Sequence, residues 1–65
     1  MKKFIIIDCI NSENVAEIYT NNGKNALKQF RNRFTSTGIY EIHKRLNTWI
    51  LSSTYGSYFI AKEAK

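Results

Sequence analysis

Runs of β-branched and aromatic residues near the start of the chain predict two β-strands. The first run is Lys3–Cys9 and the second is Val15–Thr20, and each is too short to be a typical helix. Between them lies the segment INSEN, which is rich in turn-forming Asn and Ser. The pattern therefore predicts a hairpin at the start of the chain.

A helix is predicted to follow Asn22, because asparagine is a favourable residue at a helix N-cap. In the next segment, GKNALKQFRNRF, apolar residues recur at three- and four-residue steps along one stripe, namely Ala26, Leu27, Phe30 and Phe34. The helix is predicted to end at Thr35–Gly38, since hydroxyl residues and glycine there are typical of a helix end followed by a turn.

Strand patterns resume after this helix. Ile39–Leu46 alternates in polarity, which predicts a half-buried strand. One side of it carries Tyr40, Ile42 and Leu46, and the other carries Glu41, His43 and Arg45. Trp49–Thr54 predicts a further strand, and Tyr58–Lys62 predicts either a last short strand or a continuation of the strand before it.

The predicted element order is ββαββ, with a fifth strand left open. A chain of 65 residues without linkers or repeats predicts a single domain over residues 1–65. The economical architecture is an α+β fold of two layers, in which an antiparallel sheet of four or five strands carries one helix packed on one face. A shifted helix start, or one bent strand in place of the last two, is the alternative, and neither changes the number of layers.

Apolar residues alternate onto both faces of the predicted sheet, as Phe4 and Ile6 do against Ile5 and Ile7. One helix can cover only one face, so one apolar set is predicted to lack cover within the chain. The uncharged segment Leu46–Ala61 is therefore expected to be partly core and partly an exposed surface for a homodimer or a partner. The aromatic residues predicted for that surface are Trp49, Tyr55 and Tyr58.

The whole net charge of +5 lies in the segment from Lys24 to Arg45, since the remaining basic and acidic residues cancel. Such a localised field favours an anionic partner, either nucleic acid or an acidic protein surface. At 100° per residue, three basic side chains line one flank of the apolar helix stripe, and we call them the basic ridge: Lys24, Lys28 and Arg31. Arg33 is predicted on the other flank, and Lys44 and Arg45 are predicted to extend the track along phosphates. The alternative interpretation is an ordinary solvated helix face.

The aromatic residues of Leu46–Ala61 also have two interpretations. Aromatic side chains on a sheet can stack on nucleobases, as in RNA-recognition sheets and oligonucleotide-binding barrels. No RNP-type motif is present, however, and a domain this small needs most of its rings in the core.

No catalytic, metal or cofactor site is predicted. Cys9 and His43 are the only residues of their types, but nothing in the sequence brings them together or supplies an oxyanion site. A core cysteine and a solvated histidine are therefore expected. The scattered carboxylates match no ligand spacing, and STYGS lacks the glycine spacing and lysine of a phosphate loop. We expect a binding protein and not an enzyme.

The cysteine content and the apolar runs also predict the compartment. A lone cysteine cannot form an internal disulfide, which favours a reducing cytoplasm. Asp8 interrupts the first apolar run after four residues, which indicates a strand and not a signal peptide. No apolar run approaches the roughly 18 residues of a membrane span, so a soluble cytoplasmic protein without membrane contact is expected.

Heavy use of Ile, Asn and Lys, with nine, seven and seven residues, is what an AT-rich genome encodes. In length, composition and lack of motif the chain resembles the small early or accessory proteins of phages and mobile elements of low-GC Gram-positive bacteria. The resemblance implies a non-enzymatic protein that blocks or redirects a host machine, anti-CRISPR and other anti-defence proteins among them. Two functions thus stay open: binding of nucleic acid or a nucleoprotein through the basic ridge, and inhibition of a host or defence enzyme by protein–protein contact.

Overall fold

The computed structural model describes residues 1–33 and 40–64, in which five strands form one antiparallel sheet accompanied by one helix. The elements are β1 (Lys2–Asp8), β2 (Glu13–Thr20), α1 (Gly23–Arg31), β3 (Tyr40–Arg45), β4 (Thr48–Ser53) and β5 (Tyr58–Ala64). Across the sheet the strands run β2-β1-β5-β4-β3. The predicted α+β class and antiparallel sheet are confirmed, and the element order is ββαβββ, because Tyr58–Ala64 forms a separate strand between β1 and β4.

Each hairpin turn is stabilised by its own local chemistry. In the β1–β2 turn, the Asp8 carboxylate accepts hydrogen bonds from the backbone N–H of Ile10 at 2.9 Å and from the side-chain amide of Asn11 at 2.9 Å. In the β4–β5 turn, the Ser53 hydroxyl oxygen accepts from the backbone N–H of Ser57 at 3.1 Å, and Gly56 supplies a φ of 90°. These side chains satisfy backbone groups that the sheet leaves without partners.

Leu46 lies in the β3–β4 turn, so its predicted place on the apolar side of a strand is wrong. Leu46 and Asn47 have φ values of 49° and 64°, the combination used by tight two-residue hairpin turns. The chain reverses there, and the Leu46 side chain is 89% exposed. Turn geometry has overridden the alternation that continued through Arg45.

Helix α1 begins as predicted and ends earlier than predicted. Asn22 is the N-cap, and its side-chain oxygen accepts from the backbone N–H of Asn25 at 2.9 Å. The helix stops at Arg31, where the N–H of Arg33 turns to the carbonyl of Phe30 at 3.0 Å and tightens the last turn. Phe34 and Thr35–Gly38, on which the later end was predicted, lie outside the described residues, as does Ile39, the predicted start of the next strand.

The core lies between α1 and one face of the sheet. Ile6, Leu27 and Leu51 are its largest fully buried side chains, and they come from β1, α1 and β4. Phe30 meets Phe59 edge to face, with ring centroids 5.0 Å apart and planes at 66°. Other members of the cluster are Phe4, Ile18, Ala26 and Ala61, with Ala16, Tyr40, Ile42 and Trp49 packed at its margin.

The opposite face of the sheet, which we call the open face, carries a second apolar set. Alternation along the paired strands places on it Ile5, Ile7, Tyr19, Ile50, Tyr58 and Ile60. Its polar members include Lys3, Glu17, Lys62, Glu41, His43 and Arg45. Within the described ranges, the single helix packs on the other side, and no element lies over this face.

Gly23, the first residue of α1, allows the helix to approach Trp49. A Cβ atom at this position would lie 2.9 Å from Cδ1 and 3.4 Å from Cγ of the Trp49 side chain. Alanine normally favours a helix over glycine by about 1 kcal/mol, but here the ring must move. The close contact makes glycine the residue that fits.

We therefore expect Gly23→Ala to destabilise the fold by about 1–3 kcal/mol, as overpacking of a fixed contact does. Urea denaturation followed by emission of Trp49, the single tryptophan, measures this directly. Gln29→Ala, at an exposed position of the same helix, is the matched control and should change stability by no more than about 0.5 kcal/mol. An unchanged or raised stability of Gly23→Ala would contradict the steric argument.

Candidate functional site

Two lysines from different elements converge on Trp49. The ammonium group of Lys24 on α1 and that of Lys44 on β3 each lie 5.7 Å from the centroid of the Trp49 ring. Lys44 and Trp49 are direct cross-strand partners, which puts both side chains on the helix side of the sheet. Tertiary packing thus joins Lys24 of the basic ridge to Lys44 and Trp49 of the sheet, and makes one cationic and aromatic cluster.

The rest of the basic ridge continues along α1 away from Trp49. Lys28 is exposed and Arg31 is half-buried, and both lie in the last turn of the helix. At a rise of 1.5 Å per residue, Lys24 and Arg31 are separated by about 10 Å along the helix axis. We call the residues Lys24, Lys28, Arg31 and Lys44, with Trp49 among them, the helix-side basic surface.

No carboxylate neutralises this surface in the part of the chain that the structure describes. The ion pairs found there join Lys2 to Glu63 at 3.6 Å and Lys3 to Glu17 at 3.3 Å, and neither includes a residue of the helix-side basic surface. Glu41, the single acidic residue between Lys24 and Arg45, lies on the open face. The positive potential of the helix side is therefore left uncompensated locally.

Three of the predicted binding residues lie elsewhere. Arg45 pairs with Thr48 and belongs to the open face, opposite to Lys44. Arg33 follows the helix in an exposed turn, so it is not on a helical flank as predicted. Tyr55 is 71% exposed in the β4–β5 turn.

Trp49 and Tyr58, predicted as members of one partner surface, lie on opposite faces of the sheet. Trp49 packs at the margin of the core beneath α1, whereas Tyr58 is half-buried on the open face. The sequence pattern showed that both faces were apolar, but it did not show which face the helix takes. The sequence pattern did not identify the role of Gly23, although a glycine at the first position of a helix can indicate a close contact.

Cys9 and His43 do not form a pair. Cys9 directly follows β1 and His43 lies in β3, and strands β5 and β4 lie between β1 and β3 in the sheet. At about 4.8 Å per strand, β1 and β3 are separated by about 14 Å. Cys9 is exposed, so its expected place in the core is wrong: it follows the last residue of β1 and lies in the turn. Partial burial, and next the charge of Asp8, raise the pKa of the Cys9 thiol, whereas nucleophilic cysteines have lowered values.

Within residues 1–33 and 40–64, no three or more His, Cys, Asp or Glu side chains are grouped so that they could hold a metal ion. The described helix is too short and too polar to cross a membrane. Comparison with protein-family models, with curated proteins and with solved structures finds no match to this chain.

The surroundings of Cys9 predict slow reaction with thiol reagents. Hydrogen bonding from the Asn11 side chain lowers the pKa of the Asp8 carboxyl, so Asp8 stays ionised and opposes formation of the Cys9 thiolate at neutral pH. At about pH 8 iodoacetamide should alkylate the native protein more slowly than the urea-unfolded chain, because only the thiolate reacts. Asp8→Asn should speed the native reaction, since it removes the charge and keeps an oxygen acceptor in the turn. A native rate equal to or above the unfolded rate would contradict this account.

Proposed function

We propose that the protein is a non-enzymatic nucleic-acid-binding protein that contacts phosphates through the helix-side basic surface. The observation that carries the proposal is the convergence of Lys24 and Lys44 on Trp49, in line with Lys28 and Arg31. A solvated helix face explains three basic residues on one helix. It does not account for a fourth cation, brought from a separate strand to the same aromatic ring.

The spacing of these charges suits a nucleic-acid backbone. The distance of about 10 Å between Lys24 and Arg31 equals the advance of about three base pairs along a duplex, at 3.4 Å each. Lysine and arginine side chains that neutralise phosphates release counterions, which supplies affinity without base readout. We therefore propose binding that depends steeply on salt and little on sequence.

Lys24 occupies a position that helix stability does not favour. The first turn of α1 contains no acidic residue, and its one charged side chain is this cation. A positive charge at a helix N-terminus opposes the helix dipole by about 0.3–1 kcal/mol. Contact with an external anion would offset the unfavourable interaction between Lys24 and the helix dipole.

Replacing Lys28 and Arg31 with alanine should weaken binding to every nucleic-acid sequence tested. Each lost phosphate contact should reduce the slope of log K against log salt by about 0.9 on duplex DNA. Fluorescence anisotropy with labelled duplex and single-stranded oligonucleotides, over a range of salt concentrations, gives both quantities.

Lys62→Ala is the matched control for these variants, because it removes one positive charge from the open face. It should not weaken binding if the helix-side basic surface makes the contacts. If Lys62→Ala and Lys28→Ala lowered the affinity equally, net charge alone would explain the effect. Absence of binding to DNA and RNA at low salt would overturn the proposal.

The fluorescence emission of Trp49 should change when a nucleic acid binds the helix-side basic surface. A phosphate or base that draws Lys24 or Lys44 away from the ring changes the environment of the single tryptophan. Titration with an oligonucleotide should therefore change Trp49 emission with the same midpoint as the anisotropy. In Lys24→Glu, which suits the helix dipole better, the fold should be retained while affinity falls and the midpoint moves to higher concentration.

A nuclease-treated pull-down separates this function from inhibition of a host enzyme. Under the nucleic-acid proposal, the proteins recovered with the chain are lost once DNA and RNA are digested. A single stoichiometric protein that survives digestion, and that Lys28→Ala no longer captures, would instead support an inhibitor using the same basic surface against an acidic protein.

A further inference from the structure

The open face is an apolar sheet surface without a covering layer in the described structure. Ile5, Ile7 and Ile60 are only half-buried there, while Ile50 is 4% exposed among its neighbours. Around Ile5 and Ile7 the surface forms a depression of about 630 Å³, bounded by Ala64. Half-buried isoleucines on the neighbouring strands β1 and β5 leave apolar area in contact with water, which is unfavourable.

The size of the face suits a partner of equal extent. Five strands spaced about 4.8 Å apart, each six to eight residues long with a rise of about 3.3 Å per residue, give a sheet face of about 500–600 Å². A standard protein interface buries about 800 Å² on each partner. A stable contact through this face must therefore use nearly all of it, which a second copy of the same sheet can do.

Charges at the two edges of the open face are complementary under a twofold rotation. Glu17 on β2 is paired with Ile5, and Ile5 is paired with Lys62. Because Trp49 is paired with Ala61, the adjacent residues Thr48 and Lys62 lie opposite each other on the open face. Thr48 is in turn paired with Arg45 on β3, at the far edge of the same row. A twofold axis parallel to β5 exchanges the edges, so Glu17 of each copy meets Arg45 of the other.

The apolar row next to it is complementary under the same rotation. Ile7 is paired with Ile60, and Ile60 with Ile50. The axis through β5 sets Ile60 against Ile60 of the second copy, and Ile7 against the second copy's Ile50. The result is a continuous isoleucine strip at the centre of the interface. The Glu17–Arg45 ion pairs lie at the two ends of the neighbouring row, which has Lys62 at its middle.

The edges of the sheet are less suited to self-association than the face. Between Ile6 and Ile7 the β1–β2 register shifts, which leaves Val15 as an extra residue in β2 and bends that edge. The other edge, β3, carries exposed charges at Glu41, Lys44 and Arg45. Bulges and charges at edges oppose strand addition from another chain.

We propose that the open face binds the open face of a second copy, forming a symmetric dimer of two packed sheets. The helix-side basic surfaces then lie on the two outer sides of the dimer. This proposal does not rest on nucleic-acid binding, because the residues that carry it are on the other face of the sheet.

Sedimentation velocity and equilibrium of the purified protein, from micromolar to millimolar concentration, test the dimer. Glu17→Lys and Arg45→Glu should each raise the dimer dissociation constant by about tenfold or more, since each creates two like-charge contacts. The double variant Glu17→Lys/Arg45→Glu should recover most of that loss. Both positions are exposed, so circular dichroism should show an unchanged fold.

Lys62 tests the position of the axis. The same rotation brings the two Lys62 side chains towards each other across β5, so Lys62→Ala should tighten the dimer. Ile60→Lys should abolish it, and recovery of a folded Ile60→Lys monomer separates loss of the interface from loss of the fold. If the wild-type protein stays monomeric up to millimolar concentration, the proposal is overturned, and the open face would then be a contact surface for a different protein. A dimer in which the double variant fails to recover overturns the twofold arrangement.

Discussion

The arrangement depends on one short helix covering a five-stranded sheet. The nine residues of α1 supply Ala26, Leu27 and Phe30 to a core whose other side is a single face of the sheet. Within residues 1–33 and 40–64, no further element covers the second face. The same packing therefore produces a buried core on one side and an apolar open face on the other.

The contact between Gly23 and Trp49 links the fold to the candidate site. It brings the start of α1 against β4, and this approach places Lys24 within 5.7 Å of the ring that Lys44 also contacts. The helix and two strands of the sheet thus contribute to one surface. The aromatic ring acts as a structural support for two cations whose mutual repulsion would otherwise separate them.

The two faces of the sheet have different chemistry, and this separates the two proposals. On the helix side, the helix-side basic surface has no acidic partner among the described residues, which favours an anion. On the open face, charges of both signs surround an apolar centre, and the Lys3–Glu17 pair is already formed within the chain. A sheet one layer thick can present both surfaces at once because successive side chains of each strand point to opposite sides.

The hydrophobic pattern and the cap residue by themselves determined the α+β class, the first four strands, the N-cap at Asn22 and the presence of apolar residues on both faces. These features depend on local periodicity and local hydrogen bonding, which the sequence expresses directly. Only the tertiary structure decided the strand order, which inserts β5 between β1 and β4, and the face that α1 covers. The second choice puts Lys24 of α1 beside Trp49 and leaves Arg45 on the face that also carries Tyr58. The local pattern could not decide either choice, because both depend on contacts between residues far apart in the chain.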